Sequence, residues 1–76
     1  MSLKPQSAKK IIKALSELGF KIVRTHGSHV VLKHADGRLT VVPVHPGENI
    51  GTGLLYKIIK DTGLSKEEFM KVLETT

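Results

Sequence analysis

Two turn signals, each only a few residues from the next apolar run, leave no room for a crossover anywhere between Phe20 and Val44. Gly27-Ser28 and Ala35-Asp36-Gly37 each interrupt stretches rich in β-branched residues, and His45-Pro46-Gly47 closes the last one. Parallel neighbours need a connection of about a dozen residues or more. Three strands spaced this closely are therefore restricted to an antiparallel meander. The expected strands are a run from Phe20 into Thr25, His29 to His34, and Leu39 to Val44, with Asp36-Gly37 a favourable hairpin turn.

The flanking segments follow the helical period instead. Ala8, Ile11, Ile12, Leu15 and Leu18 recur at three- and four-residue spacing, predicting a helix with one buried stripe. Pro5 or Ser7 opens it, Gly19 stops it, and Phe20 is the apolar residue just beyond. Lys9, Lys10 and Lys13 fall off the stripe and give this helix a basic outer face. After the strands, Thr52 is placed to cap a second helix carrying Leu54, Leu55, Ile58 and Ile59, with Lys57 and Lys60 opposite and Gly63 as its stop. Ser65 and Glu68 then form a capping box, with Leu64 and Phe69 as a hydrophobic staple, opening a third helix from Lys66 to about Leu73. The expected architecture is α+β in the order α-β-β-β-α-α, a three-stranded antiparallel sheet packed on helices. That order is shared with double-stranded-RNA-binding domains.

The chain of 76 residues is expected to be one domain over residues 1–76, burying only about 60 to 65 per cent of the surface it exposes unfolded. With no cysteine it has neither a disulfide framework nor thiolate zinc ligands. It has no apolar run of about 18 residues and no secretory leader pattern, so a cytoplasmic location with no membrane partner is expected. Lys and Arg number 12 against 7 acidic residues, a net charge of +5, which favours polyanionic partners.

Period two assigns the strand faces. Phe20, Ile22 and Arg24 group on one side against Lys21, Val23 and Thr25; Val30, Leu32 and His34 share one side of the next strand, with His29, Val31 and Lys33 on the other. If Val30 and Leu32 pack on the helices, His29 and Lys33 project together into solvent. His29 then stands at the start of a strand beside Gly27, which permits close backbone approach, and within reach of Arg24, Thr25 and Lys33. Imidazole titrates at about 6.5 and can take or give a proton at neutral pH. The chemistry that fits is RNA cleavage without metal: proton transfer at the ribose 2′-hydroxyl or the departing 5′-oxygen, with Lys or Arg offsetting phosphoryl charge. Ser28, His45 and His34 are possible helpers. Three plainer roles also fit His29: packing on the sheet, capping the turn, or standing as a solvated surface residue.

The histidines show no metal-ligand spacing, so neither metal nor other cofactor is expected. Gly47, Gly51 and Gly53 lack the order of a nucleotide loop; the N–H groups of Thr52, Gly53 and Leu54 can hold one anion, although a flexible cap is their default role. Leu3, Val23 and Val31 can mark a surface for a partner protein.

Several segments, taken in order, resemble one family. These are Leu15 to Phe20 running into Arg24-Thr25-His26-Gly27-Ser28-His29, the Asp36-Gly37 turn, Val41-Val42-Pro43-Val44-His45, and Ile50-Gly51-Thr52-Gly53-Leu54 followed by Ile58-Ile59-Lys60. Over nearly the whole chain the sequence is similar to the HicA-type toxins, also called YcfA-like, which are small mRNA interferases of toxin–antitoxin modules. The resemblance implies a double-stranded-RNA-binding-like fold and a histidine, here His29, required for cleavage. It further implies translation arrest through mRNA cleavage and neutralisation by a HicB-type antitoxin covering the active site. Many relatives carry a second histidine or another bulky residue directly after that position; here it is Val30, which faces the other way along the strand. The expected function is a metal-independent endoribonuclease toxin in which Arg24, Gly27, Lys33, Lys9, Lys10 and Lys13 contact RNA. The alternative is a non-catalytic RNA-binding module.

Overall fold

In the computed structural model, which describes residues 3–76, the elements run β1 (Gln6–Ser7), α1 (Ala8–Glu17), β2 (Phe20–His26), β3 (His29–His34), β4 (Leu39–Pro43), β5 (Asn49–Ile50), α2 (Thr52–Thr62) and α3 (Lys66–Glu74). Strands β2, β3 and β4 form the expected antiparallel meander in that order. The arrangement of helices on this three-stranded sheet is that of the double-stranded-RNA-binding fold. Strands β1 and β5 add a two-stranded antiparallel ladder, Gln6 opposite Ile50 and Ser7 opposite Asn49, which ties the start of α1 to the start of α2.

Val30, Leu32 and Val42 of the sheet share one core with Ile11, Ala14 and Leu15 of α1, Leu55, Ile58 and Ile59 of α2, and Phe69 and Leu73 of α3. Helix α1 lies against β2 and β4, α2 against β4, and α3 against α1 and α2. All three helices therefore share the inner side of the sheet, and the other side is open. Ala14 joins the stripe of α1, whereas Ile12 and Leu18 pack only partly on it. Ser7 caps α1, its hydroxyl accepting the Lys10 N–H at 3.2 Å. The Ser65 and Glu68 capping box of α3 forms as expected. Helix α2 departs from expectation: Gly51 occupies its cap position, no side chain caps it, and Thr52 is already helical.

The turn between β3 and β4 is anchored to the helices. Arg38 donates to both Asp36 carboxylate oxygens, at 3.1 and 2.9 Å, and to the Thr62 carbonyl at the end of α2, and its guanidinium lies 5.4 Å from the Phe20 ring centre. These charge-assisted bonds hold the Asp36 carboxyl down to about 2, the side-chain bond from Arg38 contributing most. Nearby, the buried Thr40 hydroxyl donates to Asp61 at 3.0 Å, and Lys57 pairs with the same oxygen.

Candidate functional site

The hairpin that carries the site is built around one glycine. Gly27 takes φ +61 and no other residue of the turn has a positive φ, the pattern of a two-residue type II′ turn, whose twist matches that of the strands it joins. His26 and His29 are the last paired residues before it. The Val44 N–H donates to the Ser28 carbonyl at 2.6 Å, so the third strand's continuation holds the turn as well. The Glu48 N–H then bonds the His45 carbonyl at 3.1 Å, folding the loop back directly after Val44. This places His45 just beyond the Ser28 end of the site. Both Gly27 and His45 are exposed, and Ser28 is half-buried.

Register decides which side chains share a face, because directly opposed residues in a ladder point the same way. Val30 pairs with Val42 and Leu32 with Thr40, all buried under the helices. His29 pairs with Pro43, Val31 with Val41 and Lys33 with Leu39, and these lie on the open side. His29 and Lys33 are exposed, as the alternation of β3 predicts. Val31 is the exception on this side at 7% exposure, flanked by Arg24 and Val41. Of the apolar positions expected to mark a partner surface, Val31 is thus covered and Leu3 is half-buried, while Val23 is 56% exposed.

In β2 the face assignment by twos fails. Ile22 pairs with Leu32, but the next registered pair is Arg24 with Val31, and the ladder shifts between them. Val23 is the extra residue of a β-bulge, and the residues after it swap sides. Arg24 moves to the open face with His29, and Thr25, opposite Val30, moves to the helix side. The bulge also carries His26 onto the open face, directly opposite His29. Lys21, opposite Lys33, completes a strip with imidazoles at one end, Arg24 in the middle and two lysines at the other. Strand geometry sets its dimensions: about 5 Å between the two histidine Cβ atoms, roughly 7 to 8 Å diagonally from His29 to Arg24, and roughly 13 Å along β3 to Lys33.

The remaining residues proposed from sequence are distributed elsewhere. His34 is not a helper: it opposes Phe20 on the inner side, with its ring edge-on to Phe20 at 5.3 Å and its Nδ1 accepting the Asp36 N–H at 3.1 Å. Lys9 and Lys13 are exposed and Lys10 is half-buried. They line a depression with Ser7 and Thr76 on the helix layer, across the molecule from the histidine strip. Among the described residues no cluster of three or more His, Asp or Glu side chains is arranged to hold a metal ion, and no helix is long and apolar enough to cross a membrane.

His26 stands in the segment that resembles the family but is not among the site residues expected from sequence. The signal that places it was present: a two-residue turn at Gly27-Ser28 forces the residues on either side to oppose each other.

None of the curated proteins matches this chain. The family model described as "HicA toxin of bacterial toxin-antitoxin" matches residues 8–64, from the first residue of α1 through the meander and α2 to the loop before α3. A match over most of the chain, on a double-stranded-RNA-binding-like fold, supports a general role as a toxin that binds and cleaves RNA and is paired with an antitoxin. On the strength of that match, this chain belongs to the HicA family of bacterial toxins.

Proposed function

We propose that the protein is a metal-independent endoribonuclease of a type II toxin–antitoxin module, which cleaves mRNA to arrest translation and growth, with His29 as a catalytic residue. One observation carries the reading: the bulge in β2 sets Arg24 on the same open face as the exposed His29, so an acid–base group and a fixed cation face one ligand.

The chemistry follows from that pairing. An imidazole at His29 moves a proton at the 2′-hydroxyl or the departing 5′-oxygen as the 2′-oxygen attacks phosphorus. Arg24 offsets charge that builds on the non-bridging oxygens, Gly27 lets the backbone of the turn come close to the phosphate, and Lys33 holds the strand further along. Ser28 and His45, at the same end of the sheet, are helpers that position the phosphate. Lys9, Lys10 and Lys13 add contacts where the RNA extends around to the helix layer. A HicB-type antitoxin would neutralise the enzyme by covering the open face, where Val23 and Leu39 are 56% and 50% exposed and offer apolar contact between the cations.

The test is His29→Ala, assayed on purified RNA in EDTA and by expression without antitoxin. Because His29 is exposed, the variant keeps its fold and its affinity for RNA. It loses roughly 10²- to 10⁴-fold in cleavage and no longer stops growth. Wild-type cleavage by this variant removes His29 from the mechanism. Binding by the wild type with no cleavage at all makes the protein an RNA-binding module instead.

A further inference from the structure

Resting on the ribonuclease reading, we infer that His26 is the second proton-transfer group of the site, working from the opposite strand of the hairpin to His29 on the two sides of one phosphodiester. The two residues are a registered pair at the end of the β2–β3 ladder, both are exposed, and direct opposition across the two-residue turn puts them on one face. Their Cβ atoms are about 5 Å apart, close enough to address one phosphate and far enough for the rings to splay to either side of it. The turn that joins them is held by the Val44 to Ser28 bond, so the spacing is built into the fold.

The charged groups around the pair leave it the proton chemistry. Along β2 and β3 the same face carries Lys21, Arg24 and Lys33, whose side chains are hydrogen-bond donors without an acceptor. Opposite His29 on β4 stands Pro43, which has no titratable group, and beyond it the loop carries His45 and Glu48, both exposed. His34 lies at the opposite end of β3 from His29, with its ring edge-on to Phe20. Within the strip itself, His26 and His29 are the two side chains that can both accept and donate a proton.

The reaction balances with one imidazole neutral and the other protonated. The neutral ring takes the 2′-hydroxyl proton as the 2′-oxygen bonds to phosphorus, and the bond from phosphorus to the 5′-oxygen breaks. The protonated ring gives its proton to that oxygen. The products are a 2′,3′-cyclic phosphate and a 5′-hydroxyl, and the two rings have exchanged protonation states. No metal, oxidant or further reactant is required.

The experiment measures single-turnover cleavage of an RNA oligonucleotide in EDTA across roughly pH 5 to 8 for the wild type, His26→Gln and His29→Gln, with binding and thermal unfolding measured alongside. The wild type gives a bell-shaped profile. Each variant stays folded, binds RNA as the wild type does, and falls roughly 10²- to 10⁴-fold in rate. Each also loses one limb of the bell, and the two variants lose opposite limbs. His29-dependent cleavage that keeps its rate in His26→Gln, or drops while keeping both limbs, overturns the role of His26 alone. Cleavage that survives His29→Gln, or is absent from the wild type, overturns the ribonuclease reading and the inference together.

Discussion

Two glycines with left-handed backbone separate what stabilises this protein from what aligns its site. At Gly27 a Cβ would meet nothing within 4 Å, so Gly27→Ala pays only for forcing an L-residue into a strained positive-φ conformation, about 1 to 3 kcal/mol. At Gly19 the φ is +96 and a Cβ would sit 2.9 Å from the His34 Nε2, so the same substitution adds a clash that pushes the ring off Phe20. Gly19→Ala is therefore the more destabilising of the two in urea denaturation. Cleavage measured well below both transitions should rank them the other way, because relaxing the Gly27 turn separates His26 from His29 while Gly19 lies at the far end of β2. If Gly27→Ala cleaves as well as the wild type, close alignment of the hairpin is not needed for the reaction.

At the level of elements, strong periods and turn chemistry made most of the fold legible, and the features that escaped are those without a period. The stripe of α1, the capping box of α3 and the three strands all follow from spacing. The ladder of β1 with β5 involves two residues on each strand, too few to alternate, and long-range pairing alone creates it. The Val23 bulge has no composition of its own, yet two counts betray it. Counting forward from the buried Phe20 puts Arg24 inside; counting back from an outward His29 through the turn puts it outside. The counts disagree by one residue, and one extra residue is what a bulge supplies. The Asp36–Arg38 tie between the β3–β4 turn and the end of α2 makes its own prediction. Because the Asp36 carboxyl falls from 3.8 to about 2 on folding, its stabilising contribution is complete above 3.8 and is lost as pH drops through about 2. Asp36→Asn should flatten the stability curve over that window and lower the plateau above it. An unchanged slope there would mean that the pair does not form in solution. Glu68, lowered by the N–H and hydroxyl of Ser65, leaves a residual slope in the same direction.

Across the whole molecule the positive charge is divided between two layers, and that division governs how RNA of different length is held. Lys21, Arg24 and Lys33 lie on the open face of the sheet. Lys9, Lys10 and Lys13 belong to α1, whose apolar stripe is packed on the other face. A short single strand seated over the histidines reaches the first set only, whereas a longer RNA has to pass around the sheet's edge to meet the second. Each phosphate contact with a single strand contributes about 0.7 to the slope of log affinity against log salt. For a short oligonucleotide, Lys33→Ala should shrink that slope by about 0.7, and the double change Lys9→Ala with Lys13→Ala should leave it unaltered. For a long RNA both changes should reduce it. Salt titrations of the two RNAs against the three proteins provide the comparison. A short oligonucleotide that responds to the α1 lysines but not to Lys33 would place RNA on the helix layer, on the far side of the sheet from His29, and the cleavage mechanism would then have no substrate within its reach.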